Sequence, residues 1–314
     1  MKLNSKVKSI NQKIIDEANS LGFEKVGFSK ADFYKEDQEL LNFWLKKQYH
    51  ATMHWIENRK KERSNILEYF PDAKTVISFG FNYYTGKGSQ DISDEYKFSN
   101  YAWGDDYHDY IKKSLYSLIS FMKDIIGDFN YRVCVDTSPL MEKKWAVRSG
   151  LGWIGKHTNL ITRDYGSWLF LSEIIIDKRL EVNNFFDEDL CGTCTACIDD
   201  CPTDAIVEPY VLDANKCISY LTIEHRGDFP DDKKNNLDNW IYGCDICQEV
   251  CPWNIKFSQL ANKEAFQPRK SIQEKKKIKD WEIDKEEFNQ IFKKSAVKRT
   301  KHEGLMRNVE SVKN

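Results

Sequence analysis

No stretch of this chain approaches the roughly 18 consecutive apolar residues that a membrane-spanning helix needs. Its most apolar strand-like run, Trp168 to Ile176, is short and interrupted by Glu173. The opening MKLNSKVKSINQKII is punctuated by lysines and has no apolar signal core. Net charge of one sign is missing too, because 47 Lys and Arg face 49 Asp and Glu. That balance excludes a uniformly basic nucleic-acid binder and an acidic tail protein. None of the six histidines falls into a metal-ligand spacing, and no repeat of solenoid length is seen. A soluble, cytoplasmic protein without a membrane partner is expected, long enough at 314 residues for about two domains.

The charge is unevenly placed. From Lys256 onward there are 16 Lys and Arg against 9 Asp and Glu, a net of about +7, and the first 255 residues carry about −9. An anionic partner is therefore expected at the tail.

Nine cysteines in a cytoplasmic chain are more often ligands than disulfides, and eight of them lie between Cys191 and Cys251. The first run, Cys191-x2-Cys194-x2-Cys197-x3-Cys201-Pro202, has the spacing of the bacterial two-cluster ferredoxins. The second, Cys244-x2-Cys247-x3-Cys251-Pro252, is the same run without its first cysteine, and Cys217 supplies that place across an insertion. Close spacing lets three thiolates converge on one cube, while the fourth ligates the other cluster. Cluster one therefore takes Cys191, Cys194, Cys197 and Cys251. Cluster two takes Cys217, Cys244, Cys247 and Cys201. Zinc is the rival for an isolated CxxC pair, but two fourfold runs ending in Cys-Pro argue against it. Cys134 stands apart on a strand and reads as a core residue.

Clusters relay electrons and do no organic chemistry alone, so a second region must hold the reacting centre. Residues 1–177 alternate helical and strand patterns and read as an α/β (α+β) domain. Strands are expected near Lys25–Ser29, Thr75–Phe79, Tyr131–Val135 and Trp168–Ile176. Helices are expected near Ser5–Ser20, Lys35–Lys47, Met53–Lys60, Asp106–Ile126 and Pro139–Ser149, the last with proline in its first turn. A ferredoxin-like domain follows over 178–257, and a basic helical segment over 258–314.

Two motifs mislead. Gly150-Leu-Gly152-Trp-Ile-Gly155 satisfies G-x-G-x-x-G but follows an apparent helix, where a dinucleotide fingerprint follows a strand. His157 sits where a phosphate loop needs Ser or Thr, so no NTPase is expected. A tight turn bringing backbone close to a large cofactor or to substrate fits better. Asp136 ends a strand just before a helix and reads equally as a cap or as an acid. Lys143, Lys144 and Arg148 follow as a solvated basic face. His54, His108 and His157 read as ordinary polar residues.

Together, Val-Asp-Thr-Ser-Pro-Leu-Met-Glu (135–142), Arg-Ser-Gly-Leu-Gly-Trp-Ile-Gly-Lys-His-Thr-Asn-Leu-Ile (148–161), Tyr-Gly-Ser-Trp-Leu-Phe-Leu (165–171) and Tyr-Ala-Trp-Gly-Asp-Asp-Tyr-His (101–108) resemble epoxyqueuosine reductase, as does the cysteine framework. The family is cobalamin-dependent and related to reductive dehalogenases. The resemblance implies reduction of epoxyqueuosine, in the wobble position of tRNA, to queuosine by an oxidoreductase fed by an unidentified external electron donor. It makes Asp136 the proton donor, with a pKa raised by desolvation beside the corrin ring. It assigns cobalamin contacts to Arg63, Ser99, Asp136, Ile161, Leu171, Cys244 and Asp245, and, with the basic tail, tRNA contacts to Lys143, Arg148, His225, Arg226, Lys298 and Arg299. Lys143 stands where the family often has Arg, as does Asn100. Lysine lacks the bidentate fork of arginine. The sequence has no Asp-x-His-x-x-Gly motif, so cobalt without a protein histidine is expected. Only the first helix of the family's HEAT-like domain is matched, by 295–308. A monomer is expected. The rival activities are a cobalamin or flavin reductase of a small molecule and a pure electron carrier.

Overall fold

The computed structural model describes residues 8–230, 236–261 and 263–313. At its centre, strands β1 (Lys25–Lys30), β2 (Thr75–Asn82), β3 (Tyr131–Cys134) and β4 (Leu169–Ile176) form one sheet in the order β1-β2-β4-β3. Every pairing in it is antiparallel, so the alternation of helix and strand resolves to the α+β form. Strand β2 is buried along all eight residues, as a central strand covered on both faces must be.

The period of two divides that strand between two cores. Ile77, Phe79 and Phe81 join Ile174 and Ile176 of β4 beneath helices α1 (Ile10–Ser20) and α3 (Tyr107–Ile126). The helices contribute Ile14, Ala18, Ile111, Leu115, Leu118 and Met122, spaced at the helical period. Val76, Ile175 and Cys134 face the other way, against Trp145 of α4 (Glu142–Arg148) and Leu140. In chain order α2 (Lys35–Lys46) comes between α1 and α3. Cys134 is a fully buried core residue.

The proline helix is shorter than expected. It begins at Glu142, leaving Pro139 in the preceding loop, because Met141 at φ −91° and ψ +70° lies outside the helical region. The region near Met53–Lys60 is likewise split into short helices at His54–Asn58 and Lys60–Ser64. The expected helix at Ser5–Ser20 begins at Ile10, and residues 1–7 lie outside the described residues.

The glycine-rich stretch opens no helix. Gly150 has φ +77° just past α4, and a Cβ on Gly152 would meet the Ile161 carbonyl at 2.0 Å. The glycines let a hairpin, Trp153–Ile154 against Leu160–Ile161, lie flat on its neighbours.

The segment beyond 258 shares a core with residues far upstream. Trp281, Phe292, Val297, Leu305 and Val309 pack on Tyr96, Phe98 and Trp103, and on Ile241 and Tyr242 of strand β5 (Trp240–Tyr242). Helix α5 (Ile218–Ile223) starts at Cys217, and helix α6 (Lys301–Lys313) lies alongside it. Arg307 of α6 donates to the Leu221, His225 and Gly227 carbonyls, clamping the two together. Among the described residues no helix is long and apolar enough to cross a membrane.

Candidate active site and cluster loops

The eight cysteines gather around two cavities, four to each. One cavity, of about 200 Å³, is lined by Cys191, Cys194, Cys197 and Cys251; another, of about 240 Å³, is lined by Cys201, Cys217, Cys244 and Cys247. Each is several times the roughly 30 Å³ share of one water. One tetrahedral zinc would draw its sulfurs to about 3.8 Å from one another. Among the described residues no three cysteines bring their sulfurs within 4.8 Å, so the quartets are set wider than one ion needs. Burial, and then the neighbouring Cys191, Cys251 and Cys194, push the Cys197 thiol up to about 11. Only a cationic centre makes such a group a thiolate at neutral pH.

The cavity of the second quartet continues as a cleft lined by Ser99, Tyr101 and Lys143. Lys143 lies in it, feeling the charges of Cys247 and Cys217 on one side and of Glu142 and Asp136 on the other. Its ammonium, 2.9 Å from Asn159 Oδ1, is held below the ordinary lysine range by desolvation. Lys143 thus points into the cleft and not onto an outer face.

Asp136 caps nothing. Helix α4 has Met141 at its N-cap with no side-chain bond, which excludes the capping role for Asp136. Its carboxylate, 61 % exposed toward the cleft, lies 3.3 Å from His108 Nε2. The other ring nitrogen, Nδ1, is 2.7 Å from Asp106 Oδ1. Asp106 is the N-cap of α3 and also accepts from the His108 backbone N–H, so one side chain starts the helix and aims the imidazole. Tyr107 stacks on His108 at 4.0 Å and on Phe170 at 4.2 Å, fixing the ring plane. Burial would lower the His108 pKa, but Asp106 and Asp136 raise it to about 9. Burial would raise Asp136, but His108, Tyr107 and Arg299 outweigh it and hold the carboxyl below its ordinary range. Among the protein's own groups the shared proton therefore rests on His108.

Glu142 supplies a second acid. Its Oε1 accepts from the Asp136 backbone N–H at 2.6 Å, bracing the strained loop. Burial, and then the Asp136 charge, push its carboxyl up to about 8. Sequence reasoning missed both His108 and Glu142. The Asp-x-His at the mouth of a helix was legible, but contact with Asp136 depends on the sheet.

The remaining residues fall in several places. Arg63 donates from Nη1 to the Leu140 carbonyl, while its buried Nε has no acceptor among the described residues. Ser99 donates to Asp245 Oδ1 at 2.5 Å, and the Asn100 N–H donates to Oδ2 at 2.7 Å, beside Cys244. Leu171 packs near Leu151 and Leu160. Ile161 is wholly buried and lines the first cysteine cavity with Trp153 behind it. An orphaned guanidine nitrogen and polar groups flanking the cleft suit a large, amide-rich ligand such as cobalamin.

Arg148 is not available to an outside partner. It lies over the Tyr34 ring at 3.6 Å and donates to buried Asp37 at 2.7 Å, which corrects its expected place on a basic face. Arg226 donates to the Arg299 carbonyl, and His225 stacks on Phe229. Arg299 makes a bidentate pair with Glu224 at 2.8 and 2.7 Å, close enough to Asp136 for its charge to act there. Lys298 is exposed beside it.

The histidine reading also needs correcting, since His50, His54 and Glu57 present ligand atoms within 4.8 Å of one another. The 3.9 Å gaps from Glu57 to each histidine exceed the about 3.3 Å that two ligands of one zinc subtend. Among the described residues His50 Nδ1 has no partner to orient the ring, so no ion is assigned there.

A family model described as epoxyqueuosine reductase QueG, DUF1730, matches residues 63–137, and a 4Fe-4S double cluster binding domain matches residues 190–254. The chain is similar to the epoxyqueuosine reductase of Cyclobacterium marinum, at 44% identity over 99% of both chains. Against that of Escherichia coli it is 38% identical over 95% of this chain and 79% of the relative. A crystal structure of epoxyqueuosine reductase with an epoxyqueuosine-modified tRNA-Tyr stem loop superposes with a TM-score of 0.87 at 30% identity, covering 97% of this chain and 81% of the other. A Bacillus subtilis epoxyqueuosine reductase, with its aspartate catalytic loop swung out of the active site, superposes at 0.85 and 29% identity, covering 97% and 82%.

Proposed function

The chain belongs to the epoxyqueuosine reductase family, and from that premise we propose that it reduces epoxyqueuosine in the wobble position of tRNA, with the His108–Asp136 pair as its acid. The reaction turns an epoxide into an alkene: two electrons and two protons enter, two carbon–oxygen bonds break, and one water leaves. When bound, two 4Fe–4S clusters and cobalamin supply the electrons, fed by an external donor. The chain's own residues supply the rest.

We assign the cofactor's support to Arg63, Ser99, Ile161, Leu171 and the Cys244–Asp245 pair, with Asp136 facing it across the cleft. At neutral pH the cleft stores two protons, one shared by His108 and Asp136 and one on Glu142. Asp106 fixes the tautomer and tilt of His108, so its Nε2 proton points at Asp136. Asp136 passes that proton to the departing oxygen, and a positioned acid of this kind contributes about 10²–10⁴-fold. Glu142 lies next in line to supply the second.

Arg299 and Lys298, with His225 and Arg226, form the basic rim that we assign to the tRNA backbone. Glu224 holds Arg299 in its bidentate geometry there. The observation that carries the reading is the hydrogen-bonded line Asp106–His108–Asp136 at the cleft beside the second cysteine quartet. Its test is anaerobic single-turnover reaction of the loaded, pre-reduced protein with an epoxyqueuosine-bearing anticodon stem loop, followed by nucleoside mass analysis. Queuosine is expected; unchanged epoxyqueuosine would overturn the reading.

A further inference from the structure

His157 is a buried donor that meets no acceptor among the described residues. It lies in the turn of the hairpin Trp153–Ile154/Leu160–Ile161, only 3 % exposed. Its Nδ1 accepts from the Asn159 backbone N–H at 3.1 Å, which leaves the ring proton on Nε2. That Nε2 is fully buried and meets no acceptor among the described residues. A protein interior does not leave such a donor unsatisfied without cause.

The ring's position supplies the cause. His157 lines both the cavity of Cys191, Cys194, Cys197 and Cys251 and that of Cys201, Cys217, Cys244 and Cys247. The turn is fastened to both sides. Lys156 Nζ donates to the Gly192 and Cys194 carbonyls at 2.7 and 2.8 Å, and its own carbonyl accepts from Tyr210 N–H at 3.0 Å. The imidazole therefore cannot swing away to find water.

We propose that His157 Nε2–H donates a hydrogen bond to a sulfur of one of the two iron–sulfur clusters between which it stands, making that cluster easier to reduce. Reduction adds negative charge to the cluster, and a fixed N–H dipole aimed at its sulfur stabilises the reduced form more than the oxidised one. Because the donor is a neutral imidazole, no proton moves in the step. His157 is a tuning residue, distinct from the cysteine ligands.

The test uses the anaerobically purified holoenzyme and EPR-monitored redox titration. His157→Phe keeps the ring and removes the donor, while His157→Gln keeps an N–H. With iron content retained, His157→Phe is expected to lower the reduced-to-oxidised ratio of one cluster about tenfold at fixed applied potential, about 59 mV for one electron. His157→Gln is expected to recover part of that loss. Ratios within twofold of the parent for both clusters in the Phe variant would overturn the proposal. Should the Phe variant lose iron, the parent labelled with ¹⁵N-histidine decides. A ¹⁵N coupling to a reduced cluster, absent in His157→Gln, is expected, and its absence from the parent refutes the assignment.

Discussion

His108 Nε2 lies 3.3 Å from Asp136 Oδ2, and because Asp106 grips the opposite ring nitrogen, the imidazole can lose its proton in only one direction. The acid is therefore a pair whose proton rests on nitrogen until oxygen departs.

Asp136→Asn should fold normally and keep its clusters, since the side chain caps no helix. It should lose about 10²-fold or more in single-turnover rate, because an amide delivers no proton. His108→Gln should lose a comparable amount. A rate within about threefold of the parent for the Asn variant would show that the proton comes from elsewhere.

The pH profile should carry two groups. His108 and Glu142 both bind protons more tightly in the folded protein than at their ordinary values of 6.5 and 4.5. Each therefore stabilises fully below its ordinary value, and that stabilisation is lost as pH rises through about 9 and about 8 respectively. The single-turnover rate should fall over the same window. Glu142→Gln should remove the lower transition and leave the upper, and a profile flat to pH 10 in the parent would contradict the two-proton store.

Cys251→Ser should remove cluster one and spare cluster two, because Cys251 shares a cavity with Cys191, Cys194 and Cys197. Iron should drop from about eight to about four per chain, measured with sulfide after anaerobic reconstitution. Loss of the other cluster would reverse the pairing.

Arginines that look alike in the sequence should behave oppositely. Arg148→Ala should cost about 3–5 kcal/mol in unfolding free energy by stranding buried Asp37, without changing the salt dependence of RNA binding. Removing Lys298 and Arg299 together should do the reverse. Affinity should fall, and the slope of log affinity against log salt should flatten by about 1.5 as two phosphate contacts are lost. Denaturant midpoints and salt-series binding separate the two cases.

The cysteine quartets were legible because ligand spacing is a local property of the chain. The crossover of Cys201 and Cys251 followed from the same local rule. The four strands were legible from their apolar runs, but their antiparallel pairing was not, since periodicity carries no direction. Asp136 stands out by position alone, and its partner His108 reads as ordinary because their contact joins the first turn of α3 to the loop after β3, 28 residues on. Arg148 and Lys143 read as one basic face of a helix. The structure sends one into the interior and the other into the cleft, an orientation fixed by packing against Tyr34 and Asn159.

The core shared by Phe98, Tyr242, Trp281 and Phe292 sets an order of events during synthesis. Phe98 leaves the ribosome long before Trp281 and Phe292, and at about 5–20 residues per second it waits on the order of 10 s for them. Asp106 follows Phe98 closely and its backbone N–H donates to the Lys294 carbonyl at 2.9 Å, so the acid pair gains that support only after the docking. A nascent chain can thus expose the sheet and the first cysteine loop well before its proton-delivery groups are fixed, which makes premature engagement of substrate unproductive.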